Sequence, residues 1–317
     1  MPKMIYTCTL NPAIDLFIET DELKPSKVNR TNSYDILANG KGVNVSFILK
    51  MLGIENQALG IGGGFTNAFI EETLRERGIE NHFVHTDQPT RINVFTRVLA
   101  EGTEYKEVNA GPQVTPTQVT EFLGLIGKLT ATDTLVISGS FSRGVEPQIL
   151  VKIAQRSQKQ GFKLVIDTNY SAVLETLPYQ PELLKPNDEE LSKWFGLTKR
   201  PTLTDLIECG QQLVARGAQN VLLSLGSQGA LLVNATTVLL GNAPKGTVVN
   251  TACSGDTMLG TFLAGMEQQK PLDENLKYSI AAGSSTAFRP GLTDFTDVDE
   301  LSKQITIKVI KGGIENG

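Results

Sequence analysis

The chain has 317 residues, 40% of them hydrophobic and 20% charged, with 30 glycines and 14 prolines. That is the make-up of an ordinary globular protein, with room for one large α/β domain and a substantial core. A net charge of −5, with no long Lys/Arg block, excludes a surface that tracks a phosphate backbone, so no nucleic-acid partner is expected.

The start, MPKMIYTCTLNP, has no basic region followed by a long apolar stretch, and no run of about 18 apolar residues follows. A cytoplasmic protein that does not enter a membrane is predicted. "MIYTCT" reads as a first strand. "TLNPAIDLFI" then leaves Asp15 where the chain departs toward residues 15 to 38, which alternate polar and apolar residues without a helix.

"NGKGVNVS", residues 39 to 46, is a glycine-containing turn into the helix "GVNVSFILKMLG". Gly40 and Gly42 free the backbone around Lys41, whose ammonium suits an anionic group, and Asn44 can bond a sugar hydroxyl. A plain turn with a solvated lysine explains the same residues. The strand "QALGIGG" and the helix "NAFIEETLRERG" continue the pattern. G-x-x-x-x-G-K-[ST] is absent, and "GIGGGF" fails G-x-G-x-x-G at its last position, so the common nucleotide loops are missing.

His82 and His85 lie in a short strand whose alternation sends them to opposite faces, which argues against a metal pair. Residues 91 to 109, opened by Arg91, again alternate without a helix. With 15 to 38 they predict a small β layer of antiparallel pairs outside a mostly parallel sheet.

Beyond residue 110 strands and helices alternate through "DTLVIS", "EPQILVKIAQRSQKQG", "KLVID" and "NVLLSL", the rhythm of a parallel sheet covered on both faces. In "LLKPNDEEL" Asn187 and Glu190 have the spacing of a capping box; at the carboxyl ends of sheet strands they could equally hold hydrated Mg²⁺ beside phosphates. "LLSLGSQGALLV" reads as two strands and a glycine-rich turn, either a simple hairpin or a backbone edge for a nucleotide.

"VVNTACSGDTMLGTFLAG", residues 248 to 265, predicts an apolar strand at Val248-Val249, a small-residue turn, and a helix starting near Asp256 or Thr257. Such a helix start gathers free N–H groups and a positive dipole end, an anion site. Asp256 there is either a helix cap or a carboxylate that takes a proton from a hydroxyl, kept ionised by its place at the helix start. Cys8, Cys209 and Cys253 are too irregularly spaced for a disulfide framework or zinc knuckle.

Taken in order, T-L-N-P-A-I-D, G-K-G-x-N, T-R before a β segment, S-G-S, K-P-N-x-x-E, S-L-G-x-x-G-A and S-G-D at a helix start resemble the PfkB/ribokinase family of sugar kinases over essentially the whole chain. The branch resembled is that of 1-phosphofructokinase and tagatose-6-phosphate kinase. The resemblance implies a single three-layer α/β/α ribokinase-like domain over residues 1 to 317, with a β lid built from about 15–38 and 91–109. ATP and Mg²⁺ are the implied cofactors, with a monovalent cation a further candidate, and many relatives are dimers joined through their lids.

By the same resemblance Asp256 is the base, and the backbone of Cys253, Ser254 and Gly255 is the anion hole for the transferring phosphoryl group. Asp15, Gly40, Lys41, Asn44, Arg91 and Ser140 fall on the substrate side, Lys41 and Arg91 meeting its existing phosphate. Lys185, Asn187, Ser224, Gly226 and Gly229 fall on the nucleotide side, with Asn187 and Glu190 near Mg²⁺.

Fructose 1-phosphate converted to fructose 1,6-bisphosphate is the first expectation and tagatose 6-phosphate the second. Two departures stand beside bound phosphates: Asn39 and Cys253 occupy positions where the family usually has glycine. They motivate a rival reading, a sugar-phosphate-binding regulator with weakened chemistry. "DTNYSAV" near residue 167 also departs from the branch's usual D-T-S-G-E-A-L, which puts Asn169 and Tyr170 on the substrate side.

Overall fold

The computed structural model describes residues 3 to 310. Strand β1 (Ile5–Thr9) leads to β2 (Ala13–Thr20), β3 (Ser33–Asn39) and helix α1 (Lys41–Met51). Next come β4 (Asn56–Gly63), α2 (Gly64–Glu76), β5 (Glu80–Thr86), and the paired strands β6 (Arg91–Val98) and β7 (Thr103–Glu107). The alternation resumes with α3 (Pro116–Ile126), β8 (Thr134–Ser138), α4 (Ile149–Gln160), β9 (Lys163–Asp167) and β10 (Leu183–Leu184).

Helices α5 (Asp188–Phe195) and α6 (Leu203–Ala215) precede β11 (Asn220–Ser224), β12 (Ala230–Asn234) and β13 (Val238–Gly241). Helices α7 (Ser254–Glu267), α8 (Leu272–Ala287), α9 (Val298–Lys303) and strand β14 (Ile307–Val309) complete the described chain.

One sheet has ten strands in the order β14-β13-β12-β11-β10-β9-β8-β1-β4-β5. It is parallel from β11 through β5, with antiparallel strands at the β12–β14 edge. Alternate residues of the central strands go to opposite layers. Leu135, Ile137, Leu164, Ile166, Val221 and Leu223 face one core with α3, α4 and α6, whereas Val136, Val165 and Leu222 face the other with α1, α7 and α8. Each strand is therefore apolar on both sides, which is why these segments read as continuous hydrophobic runs.

The expected three-layer α/β/α arrangement is present, and so is the small second sheet, ordered β3-β2-β6-β7. Its pairs β2/β3 and β6/β7 are antiparallel as anticipated, but the two pairs join through a parallel contact between β2 and β6.

Two local expectations fail. Val248 and Val249 form no strand and are 59% and 55% exposed, because no neighbouring strand edge is there to pair with two isolated apolar residues. Helix α7 begins at Ser254 with Cys253 as its N-cap, so Asp256 lies inside the first turn and is not the cap.

The order of strands fixes where a ligand can enter. From β1 the chain moves outward through β4 and β5, then returns to β8 and proceeds in the opposite direction through β9, β10 and β11. Adjacent crossovers thus leave β1 and β8 on opposite sides of the sheet, opening a crevice at their carboxyl ends.

Candidate active site

That crevice holds a cavity of about 260 Å³ lined by Thr9, Asn11, Gly40, Lys41, Arg91, Ser138, Gly139, Ser140, Asn169 and Glu190. Four residues expected on the substrate side, Gly40, Lys41, Arg91 and Ser140, meet there although they come from three separate stretches of sequence. Gly40 has φ 138°, and a Cβ on it would lie 2.6 Å from Thr9 Cγ2. Only glycine lets β3 turn into α1 so close to the end of β1.

Neither cation is unpaired. Lys41 Nζ donates to Asp167 Oδ1 at 3.2 Å, and Arg91 donates to the carbonyls of Asn11, Pro12 and Asn109. Burial acts to lower the Lys41 pKa, but Asp167, Asp256 and Glu190 outweigh it and hold the ammonium firmly protonated. Arg91 titrates below its ordinary value because of burial, partly offset by Asp15.

Beside the cavity is a buried polar cluster. Asp256 Oδ2 accepts from Asn44 Nδ2 at 2.9 Å, and the same amide nitrogen lies 2.7 Å from Asn39 Oδ1 and 3.2 Å from Cys253 Sγ. The approach of α1 to α7 makes this possible: a Cβ on Gly260 would sit 2.8 Å from Ile48. Asp15, buried on β2, accepts from Asn93 at 2.8 Å and from Asn39. Burial raises the Asp15 pKa, moderated by Asn93 and Asn39.

The Asp256 carboxyl is also raised, by burial first and by Asp167, with Lys41 and Asn44 pulling in the opposite direction. The helix start does not dominate its titration as expected from sequence; burial does. A carboxylate raised in this way is a better proton acceptor than an exposed one.

The turn before α7 has the form of an anion cradle. The N–H groups of Cys253, Gly255 and Asp256 find no acceptor among the described residues, while Ser254 N reaches Thr251 O at 3.4 Å and Thr257 N bonds Cys253 O at 2.9 Å. Ser254 Oγ is buried without a partner. Cys253 adopts φ 63°, ψ −5°, so the side chain in the family's glycine position is accommodated in the left-handed region at a cost of about 1–2 kcal/mol. Its thiol is driven well above the ordinary range by burial and by Asp256 and Asp15.

Lys185, 4% exposed, sits beneath this turn with Nζ 3.2 Å from Asp167 Oδ1. A Cβ on Gly255 would lie 3.2 Å from the same nitrogen. Asp167 is fully buried, yet its pKa is lowered: burial would raise it, but Lys185 and Lys41 prevail. The sequence reading passed over Asp167; an acid ending the apolar strand "KLVID" at the carboxyl edge of a parallel sheet was the available signal. Asn93 has no local signal, and Asn11 stands inside the T-L-N-P motif without any feature that marks it as lining the cavity.

Tyr170 and Asn169 do reach this side. Tyr170 Oη accepts from Phe141 N at 2.9 Å, its ring centroid is 4.6 Å from that of Phe141, and Asn169 lines the cavity.

Asn187 and Glu190 form the capping box, Asn187 N donating to Glu190 Oε2 at 3.0 Å and Glu190 N to Asn187 Oδ1 at 2.7 Å. Asn187 also bridges to Ser224 beside the turn carrying Gly226 (φ 55°) and Gly229 (φ 98°). Among the described residues no group of three His, Cys, Asp or Glu side chains could hold a metal. A hydrated Mg²⁺, needing few protein ligands, fits the donors present: Glu190 at the cavity wall, beside Asn187 in the same capping box. No helix of the described residues is long and apolar enough to cross a membrane.

Residues 7–298 match the model of the pfkB family of carbohydrate kinases. A D-tagatose-1-phosphate kinase of Bacillus licheniformis is 43% identical over 304 residues, covering 96% of this chain and 99% of that protein. A 1-phosphofructokinase of Bacillus subtilis is 35% identical, with coverage of 96% and 99%. The crystal structure of phosphofructokinase-2 from Escherichia coli in complex with substrates and products superposes with a TM-score of 0.86 at 27% identity, covering 94% of this chain and 98% of that one.

Proposed function

The chain belongs to the pfkB family of carbohydrate kinases, and within it we propose that it transfers the γ-phosphoryl group of ATP to the 6-hydroxyl of a ketohexose 1-phosphate. Fructose 1-phosphate is the first choice of acceptor. The observation that carries this reading is the pair Lys41 and Arg91 on one cavity wall, next to a buried carboxylate at the head of α7. Both cations have N–H groups to spare beyond their protein partners, which suits an acceptor that already bears a phosphate.

In this reading Asp256 accepts the hydroxyl proton through Oδ1, which takes no hydrogen bond from the described residues, while Asn44 fixes Oδ2. The acceptor oxygen bonds to phosphorus as the bond to ADP breaks, and the free N–H groups of Cys253, Gly255 and Asp256 meet the negative charge of the moving group. Lys185, locked by Asp167, adds positive charge beneath the turn. Bound Mg²⁺ supplies charge neutralisation on the nucleotide phosphates, with Glu190 and Asn187 as the residues that would hold it through water.

The small sheet acts as a lid that excludes water from the transfer. Its outer residues, Tyr34, Ile36 and Tyr105 among them, are exposed and suit pairing with the lid of a second copy. Tagatose 1-phosphate is the second reading, favoured by the relative of that name at 43% identity.

The test is purified protein with MgATP and a panel of fructose 1-phosphate, tagatose 1-phosphate, fructose 6-phosphate and tagatose 6-phosphate, scored for ADP. Turnover confined to the 1-phosphates is expected. Tight binding without turnover would instead mark a sugar-phosphate-binding regulator, and turnover of uncharged acceptors alone would mark a nucleoside or vitamin kinase.

A further inference from the structure

Asn39 ends β3 half-buried beside the acceptor cleft, and its amide is nearly saturated. Its Oδ1 accepts from Gly40 N at 2.6 Å and from Asn44 Nδ2 at 2.7 Å, and its Nδ2 donates to Asp15 Oδ2. An amide nitrogen carries two hydrogens. One N–H of Asn39 is therefore left over, and the next residues in the chain, Gly40 and Lys41, line the cavity.

The neighbours make this single donor more decisive. Asn44 Nδ2 has two hydrogens and three acceptors within reach, Asn39 Oδ1, Asp256 Oδ2 and Cys253 Sγ, so it has none to offer a ligand. Asp15 has one amide donor on each oxygen and remains purely an acceptor. Around this cluster a sugar hydroxyl can give protons to Asp15 or to Asn44 Oδ1. Beside Asp15 it can receive one from the free N–H of Asn39, or from Asn93, whose Nδ2 gives one hydrogen to Asp15 Oδ1 and keeps the other.

Asn39 thus orients two other side chains, Asp15 and Asn44, and supplies an amide donor at the boundary between Asp15, from the small sheet, and Asp256, from the main domain. A hydroxyl that both donates to Asp15 and accepts from Asn39 has its direction fixed, and its epimer would leave the Asn39 N–H unpaired on closure. We propose that Asn39 is a specificity-determining residue that selects between ketohexose 1-phosphates epimeric at C4. The proposal rests on the ketohexose 1-phosphate reading above.

The experiment compares kcat/KM for fructose 1-phosphate and tagatose 1-phosphate in the wild type and in Asn39→Gly. In the wild type one epimer should be clearly preferred. In Asn39→Gly the ratio between epimers should move toward one by about tenfold, the worth of one hydrogen bond, while KM for ATP stays unchanged. Asn39→Ala, which restores a β-compatible backbone without the amide, serves if the glycine variant does not fold and should relax the ratio equally.

A purely structural role for Asn39 would lower both kcat/KM values together and leave their ratio intact, and that result overturns the proposal. So does a wild type that uses both epimers equally. Failure of the wild type to turn over either 1-phosphate, with activity on another acceptor, overturns the underlying functional reading instead and is recognisable as such.

Discussion

Asn44 Nδ2 lies 2.9 Å from Asp256 Oδ2, joining α1 to α7 across the head of the crevice and leaving Oδ1 of the carboxylate without a hydrogen-bond partner among the described residues. If Asp256 is the base, Asp256→Asn keeps the shape and removes the proton acceptor. A fall in kcat of roughly 10²–10⁴-fold is expected, with ATP affinity, read by calorimetry, nearly intact. A variant that retains most of its rate would remove Asp256 from the mechanism.

The pH profile follows from the direction of the Asp256 shift. Burial raises its pKa and Lys41 restrains the rise, and the base works only when ionised. Activity is therefore lost as pH falls through the raised value, and the acid limb of kcat/KM should lie above the ordinary aspartate value of about 3.9. Lys41→Met removes the restraining cation, so the limb should move further upward. A limb at or below the ordinary value, or one that moves downward in Lys41→Met, contradicts this account.

Asp167 accepts from both Lys41 and Lys185 through one oxygen. Asp167→Asn leaves the ammonium of Lys185, almost fully buried, without its ion-pair partner. Removing one partner of a buried pair costs about 3–5 kcal/mol, so a clear drop in the denaturant midpoint is expected at neutral pH. The folded-state pKa of Asp167 is depressed, so its stabilising contribution is present above the ordinary carboxylate pKa and is lost as pH falls through the depressed value. The stability gap between wild type and variant should accordingly narrow in strong acid.

Cys253 holds a left-handed conformation at the N-cap of α7. Cys253→Gly relieves about 1–2 kcal/mol of backbone strain, offset in part by the greater freedom of glycine in the unfolded chain, about 0.5–1 kcal/mol. A small rise in Tm is expected, with kcat at least maintained because the N–H groups stay in place. A large loss of rate would show that the thiol, 3.2 Å from Asn44 Nδ2, takes part in holding the site.

The exposed face of the small sheet gives a test of assembly. Tyr34 and Ile36 occupy one side of β3 and are 70% and 43% exposed. Ile36→Glu should weaken a lid-to-lid dimer measurably in sedimentation velocity, whereas the same change in a protein that does not pair through its lid would leave the sedimentation coefficient unaltered.

Much of the fold was legible because its signals are local. Apolar runs on both faces of the strands, helical periodicity and the N-x-x-E spacing of Asn187 and Glu190 are decided within a few residues, and the structure reproduces the strands, helices and capping box accordingly. The order of seven short motifs was likewise enough to identify the family, since order along a chain survives without coordinates.

What tertiary structure alone decided are the relations between residues far apart in sequence. The pairing of Asp167 with Lys41 and Lys185, the bridge from Asp15 through Asn39 to Asn44, and the exposure of Val248 and Val249 depend on which strand edges and helix faces meet. The titration of Asp256 shows the physical reason most plainly. Its place at a helix start is written in the sequence, but its pKa is set by how much water is removed and which charges remain nearby, and both are properties of the packed molecule.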